Sequence, residues 1–169
     1  LPQLNADMVL CSHGHSDHGG VEKVTLSGRK CSYSIEAIDC FHDEAGGTKR
    51  GANIIHAVTA EGKRIVHLGD LGHELDDAQL ERIGTPDVLL IPVGGFFTID
   101  APTAKRIAEK IGARITVPMH YRGDGFGYDV IGTLDEYTSL CSDVVYAPAN
   151  FFDPDDYSER VTLVLKAAR

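Results

Sequence analysis

Apolar and polar positions follow two rhythms along this chain. Residues 7–11, DMVLC, form a short apolar run that predicts a buried strand leading into a polar cluster. Between 22 and 40 the pieces VTLSG and CSYSIEAIDC alternate at β-like spacing and are broken by Ser, Gly and Lys. FHDEAGGTKRGAN, 41–53, is rich in glycine and charge and predicts a loop. NIIHAVTA, 53–60, reads as a strand, EGK at 61–63 as a turn, and RIVHLGD, 64–70, as a second strand ending on an aspartate.

From Leu75 the period lengthens to that of a helix, with Leu75, Leu80 and Ile83 set among acids and Gln, and Gly84 placed to stop it. DVLLIPV, 87–93, is continuously apolar, the pattern of a strand covered on both faces. Asp100 is a good N-cap, with Pro102 in the first turn of a helix running to Ile111 and Gly112 ending it. RITVPMHY, 114–121, predicts another strand with His120 at its end. The stretch near 133–141 reads as either a hairpin or a helix, and VTLVLKA, 161–167, as a closing strand. Strand–helix–strand–helix–strand over 64–121 implies a layered α/β unit.

Composition narrows the picture modestly. The 169 residues suit one domain, 1–169, and 43% hydrophobic with 24% charged residues supports a substantial core. No apolar stretch reaches the ~20 residues of a membrane helix. A net charge of −9 argues against broad binding to a phosphate backbone but leaves room for a small anion held by local cations. Cys11, Cys31, Cys40 and Cys141 form no C-x-x-C pair, which points to reduced core cysteines and a cytoplasmic protein. No signal peptide is visible, and because the sequence opens at Leu1 rather than methionine, residues are expected to precede it.

The sharpest signal is SHGHSDH, 12–18. His13, His15, Asp17 and His18 crowd behind an apolar run, and such groups are costly to bury without a partner. In H-x-H-x-D-H, a tight turn lets the first two histidines converge on one ion while the Asp–His pair reaches another. Imidazole and carboxylate suit Zn, Mn or Fe. Further ligands are expected at the ends of other strands, where His42, Asp70 and His120 stand.

With FHDEAGGTKRGAN (41–53), HLGDLGH (67–73), DVLLIPVGGFFTID (87–100) and VPMHY (117–121) added, the chain resembles the metallo-β-lactamase superfamily. It looks most like the branch of small metal-dependent hydrolases that includes L-ascorbate-6-phosphate lactonase. The resemblance implies a four-layer αβ/βα sandwich, with two mixed sheets face to face and helices outside. It also implies strands ahead of the histidine motif, which the residues before His13 are too few to supply, and hence missing N-terminal strands. Two divalent metals are implied, Zn foremost, with Mn, Fe or Ni compatible. His13, His15 and His42 would hold the first, Asp17, His18 and His120 the second, and Asp70 would bridge them. A hydroxide shared by ions ~3.5–4 Å apart would attack a small ester, lactone or phosphoester, oriented by Asp17 and Asp70 as catalytic residues.

Other positions carry weaker expectations. His73 is a candidate substrate contact, and so is Arg122, although an exposed arginine is the plainer reading. Asn53 completes the G-x-N of the resemblance and is expected to pin the loop or meet substrate. His56, mid-strand, reads as a surface or satisfied histidine, and His67 as support beside the site. Lys49 and Arg50 are, like Arg122, candidate contacts for an anionic group, with a solvated loop the plainer reading, Thr98 and Asp100 read as turn and cap, and Phe96 and Phe97 as pocket wall or core. The expected partner is a small molecule rather than nucleic acid or membrane, with self-association open. The rival readings are a phosphodiesterase or nuclease of the same superfamily, which the charge disfavours, and a catalytically silent metal-binding protein, which a complete ligand set disfavours. Iron-based redox chemistry is disfavoured because flavin-partnered members replace the second histidine with glutamate and His15 is intact.

Overall fold

The computed structural model describes residues 3–15 and 19–167. Its centre is a seven-stranded mixed sheet. In chain order its strands are β3 (Ser34–Phe41), β4 (Ala52–Ala60), β5 (Lys63–His67), β6 (Val88–Pro92), β7 (Ile115–Met119), β8 (Val144–Tyr146) and β9 (Val161–Val164). In space the order is β3-β4-β5-β6-β7-β9-β8. β3, β4 and β5 pair antiparallel, and every later pairing is parallel. A separate pair, β1 (Leu4–Ala6) with β2 (Val24–Leu26), is parallel and two-stranded. Among the described residues the sheets are thus one of seven strands and this separate two-stranded ribbon.

Two helices bridge the parallel strands, as parallel neighbours require. α1 (Asp77–Ile83) joins β5 to β6 and α2 (Ala101–Ile111) joins β6 to β7. α1 starts on a reciprocal capping box in which Asp76 and Gln79 satisfy each other's backbone N–H groups. α2 starts on Asp100, whose carboxylate accepts the Thr103 N–H, and ends on Gly112 in the left-handed region. α3 (Leu134–Thr138) settles the ambiguous stretch near 133–141 as helix.

Alternation along the strands divides the core. Ile38, Cys40, Ile55, Ala57, Val66, Leu68, Leu89 and Ile91 pack on one face with Ile83 of α1, Ala104, Ile107 and Ile111 of α2, and Tyr137 of α3. Val88, Ile115, Val117, Val161 and Leu163 form a second cluster with Phe152 and Tyr157. β6 feeds both clusters, which is why its sequence is apolar without a break.

The strand expected over 7–11 is not formed. β1 lies earlier, Met8 and Leu10 are exposed, and the Asp7 carboxylate is engaged by Ser27 and Arg29. Apolar content alone does not make a strand where no ladder partner runs alongside. The segment instead meets the sheet at its far end, where the Ile54 N–H donates to the Ser12 carbonyl at 2.8 Å. The strands expected at 64–70, 114–121 and 161–167 stop at His67, Met119 and Val164. In the first two, the residues past the strand end turn away to form the site.

Candidate metal centre

β3, β5, β6 and β7 all point the same way, so their C-terminal ends share one edge of the sheet. His42 follows β3, Asp70 follows β5, Phe97 lies beyond β6, and His120 follows β7. The loop carrying His13 and His15 joins them through the Ile54–Ser12 hydrogen bond at the start of antiparallel β4. Loops at the carboxyl ends of a parallel sheet collect side chains from distant sequence into one crevice.

Ligand-capable atoms of His13, His15 and His42 lie within 4.8 Å of one another. The Asp70 carboxylate sits among the imidazoles, with Oδ2 at 3.8 Å from His13 Nε2, 3.3 Å from His42 Nε2 and 3.5 Å from His120 Nε2. His13, His42 and Asp70 are almost wholly buried. Asp17 and His18 lie outside the described residues.

Each residue is held from behind. His42 Nδ1 lies 3.0 Å from the Phe97 carbonyl, which can only accept, so Nδ1 carries the proton and Nε2 faces Asp70. Ser12 Oγ lies 2.9 Å from His13 Nδ1. Burial alone would lower the His42 imidazole, and the Asp70 carboxylate reverses this, lifting it above its ordinary value. Asn53, buried in β4, fixes Asp70. Its Oδ1 accepts the Asp70 N–H at 3.0 Å, while Nδ2 donates to the Leu68 carbonyl at 2.9 Å. His120 adopts φ 54°, a left-handed conformation that costs a non-glycine residue about 1–3 kcal/mol. Such strain is held in place by the surrounding structure, here the Val93 N–H donating to the Met119 carbonyl and the close approach of Gly94 to the His120 carbonyl.

Asp43, next to His42, organises the 43–51 loop. Its buried carboxylate accepts N–H groups from Ala45, Gly47, Lys49 and Arg50 at 2.7–3.0 Å. Burial would raise this carboxyl, but the four donors, Arg50 first, hold it down to about 2.

A cleft of about 280 Å³ opens over the cluster, lined by His15, His42, Arg50, Asp70, Phe97, His120 and Tyr128. Its size suits a small molecule. Phe97 is thus part of the pocket wall, whereas Phe96 is largely exposed. The other sequence candidates fall outside the cleft. His73 is tied to backbone on both ring nitrogens, accepting the Phe41 N–H at 3.1 Å and lying 2.6 Å from the Glu74 carbonyl. Arg122 contributes its backbone N–H to the Gly132 carbonyl. Asn53 supports the site from below. His67 Nδ1 accepts the Gly69 N–H at 3.0 Å, and His56 Nε2 lies 3.1 Å from the Cys11 carbonyl. Sequence reasoning favoured a solvated loop for Arg50 and passed over Tyr128. Only the closing of the 43–51 and 121–132 loops brings them to the cleft.

The donor set fits a divalent transition metal. It offers converging imidazoles, that of His42 with its tautomer set by the Phe97 carbonyl, and one carboxylate among them, with the side chains of His13, His42 and Asp70 withdrawn from solvent.

Comparison with known proteins agrees with this geometry. Residues 1–120 match the model of the beta-lactamase superfamily domain. A UPF0173 metal-dependent hydrolase of Thermoplasma acidophilum is 26% identical over 150 residues, covering 70% of this chain and 67% of that protein. The namesake from Archaeoglobus fulgidus is 27% identical over 157 residues, covering 70% and 68%. A crystal structure from Thermotoga maritima, described as a Zn-dependent hydrolase of the metallo-beta-lactamase superfamily, superposes with a TM-score of 0.74. It shares 32% identity across 98% of this chain and 84% of its own. The chain belongs to the metallo-β-lactamase superfamily, and it is a hydrolase of that superfamily's metal-dependent kind.

Proposed function

We propose that this chain, acting as one catalytic domain, hydrolyses a small ester, lactone or phosphoester in the cytoplasm. The observation that carries the reading is the convergence of three imidazoles on the Asp70 carboxylate beneath a cleft of small-molecule size. His13, His15, His42, Asp70 and His120 would hold the metal, and the pattern in the sequence adds Asp17 and His18 for a second ion, zinc being the expected species. A divalent cation bound there supplies a Lewis acid that activates water near neutral pH and polarises the oxygen of the electrophile.

The protein's own groups do the rest. Asp70 would orient the attacking water and take its proton, a role supported by the nearness of its Oδ2 to three imidazoles. The Phe97 carbonyl keeps the His42 proton on Nδ1, so Nε2 stays available as a ligand. The Phe97 ring walls the cleft on the side of the metal ligands.

The test is elemental mass spectrometry on protein purified without added metal, followed by turnover of 4-nitrophenyl esters and bis(4-nitrophenyl) phosphate. Two equivalents of a transition metal, and a fall of about 100-fold or more in kcat for Asp70→Asn with an unchanged circular dichroism spectrum, are expected. One equivalent would reduce the proposal to a mononuclear site. A protein that neither carries nor rebinds Zn or Mn would overturn it.

A further inference from the structure

Arg50 stands on the 43–51 loop in the wall of the cleft, alongside His15, His42, Asp70, Phe97, His120 and Tyr128. We propose that Arg50 is a specificity-determining residue that receives an oxyanion, a carboxylate or phosphate, carried by the substrate away from its scissile bond. The proposal rests on the hydrolase reading above and deepens it by giving the substrate a charge.

Three observations converge on this role. First, Arg50 is uncommitted. Among the described residues no carboxylate lies within ion-pair distance of its guanidinium, whereas the adjacent Lys49 is paired with Glu44. In a chain of net charge −9, a half-buried arginine without a carboxylate partner is out of the ordinary. Second, Arg50 is pre-placed. Its backbone N–H donates to Asp43 Oδ2 at 2.7 Å, so the residue is fixed to the most heavily hydrogen-bonded carboxylate of the loop. Its guanidinium carbon stands 5.7 Å from the centre of the Phe97 ring and 6.0 Å from that of Phe96, within the range of cation–π attraction. Stacking on an aromatic face holds the guanidinium plane and leaves its N–H edge free for a two-point grip on an oxyanion. Third, the surroundings fit a bipolar ligand. Phe97 and Tyr128, with ring centres 6.0 Å apart, give the cleft an apolar flank between the cation and the histidines. An anionic head at Arg50, an apolar body on Phe97 and an electrophilic carbon or phosphorus at Asp70 would use the cleft along its length.

The experiment compares two chromogenic esters of matched length on the zinc-loaded protein. One is mono-4-nitrophenyl glutarate, which carries a remote carboxylate, and the other is neutral 4-nitrophenyl pentanoate. The wild type is expected to prefer the charged ester in kcat/KM by about tenfold or more. In Arg50→Gln that preference falls to near one, chiefly through KM, and Arg50→Lys keeps part of it because the charge remains while the fork is lost. Calorimetric titration of the same zinc-loaded proteins with inorganic phosphate gives a readout independent of turnover. Affinity is expected to fall about tenfold in Arg50→Gln. If both esters are hydrolysed and neither the preference nor phosphate affinity responds to Arg50→Gln, the anion site is overturned and the hydrolase stands. If neither ester is hydrolysed while phosphate affinity still depends on Arg50, the esterase reading fails and the anion site stands. If neither ester is hydrolysed and phosphate affinity is the same in both proteins, both readings fall.

Discussion

At the scale of single residues, the site depends on groups that never touch substrate. Asp43 is the clearest. Four backbone N–H groups converge on its carboxylate, and an amide offers only one acceptor oxygen and a donor in place of the other. Asp43→Asn is expected to loosen residues 45–50, seen as faster amide hydrogen exchange at Ala45, Gly47, Lys49 and Arg50. It should also weaken metal binding about tenfold or more, because the loop carries His42. Unchanged exchange would show that the amide still organises the loop. Gly72 matters for a steric reason. Its N–H donates to the Phe41 carbonyl at 3.0 Å, and a Cβ built there would overlap the His42 carbonyl carbon and the Asp43 nitrogen. Gly72→Ala is therefore expected to displace His42 and cut both metal content and kcat at least tenfold, with secondary structure intact by circular dichroism. Full metal occupancy in this variant would show that the backbone yields without moving the ligand. Both residues lie in stretches that carry the family resemblance, 41–53 and 67–73, but residue type alone assigns neither its structural role. Arg50 and Lys49 are likewise indistinguishable there, and only loop closure gives one a salt bridge and the other a place in the cleft.

At the scale of elements, legibility tracks how locally an element is determined. α2 was legible to the residue because its caps are written beside it, Asp100 with Pro102 at the start and Gly112 at the end; for α1 Gly84 marked the end, but the helix expected from Leu75 starts at Asp77, behind the Asp76–Gln79 capping box. β6 was legible from its unbroken apolar run, which both halves of the core absorb. Residues 7–11 misled because their apolar character is not matched by a ladder partner, a fact fixed by residues far away in sequence. The same locality makes α1 testable. Asp76→Ala removes the oxygen that accepts the Gln79 N–H at 2.7 Å and is expected to cost about 1 kcal/mol. Urea unfolding followed by circular dichroism measures it. The loss should leave the metal site alone, because α1 meets the sheet on the side of Glu36 and Asp39 through Arg82 and Gln79. A drop in metal content would show that α1 and the loop after β5 move as one unit.

At the scale of the whole molecule, the fold gathers at one edge the groups that are most expensive to gather. The Asp70 carboxylate and the imidazoles of His13 and His42 are withdrawn from water, and His120 keeps a strained backbone to join them. The candidate ligands were legible because their residue types are chemically conspicuous. Their meeting was not, since it depends on two antiparallel pairings and two parallel ones placing the ends of β3, β5, β6 and β7 together. Such an arrangement stores electrostatic and conformational cost that a bound cation offsets, so metal and folding should be linked. A ligand at about 100 times its dissociation constant stabilises the folded state by about 2.7 kcal/mol. For a chain of this length each kcal/mol corresponds to about 2–4 °C in Tm. Chelation with excess EDTA is therefore expected to lower Tm by about 5–10 °C, measured by calorimetry, and zinc or manganese in excess of the chelator should restore it. His42→Ala should unfold at a temperature that EDTA hardly changes, because the coupling has been removed along with the ligand. A wild-type Tm that is indifferent to chelator and to added metal would mean that the four converging side chains are held by the fold alone, and that the edge of the sheet is not a metal centre.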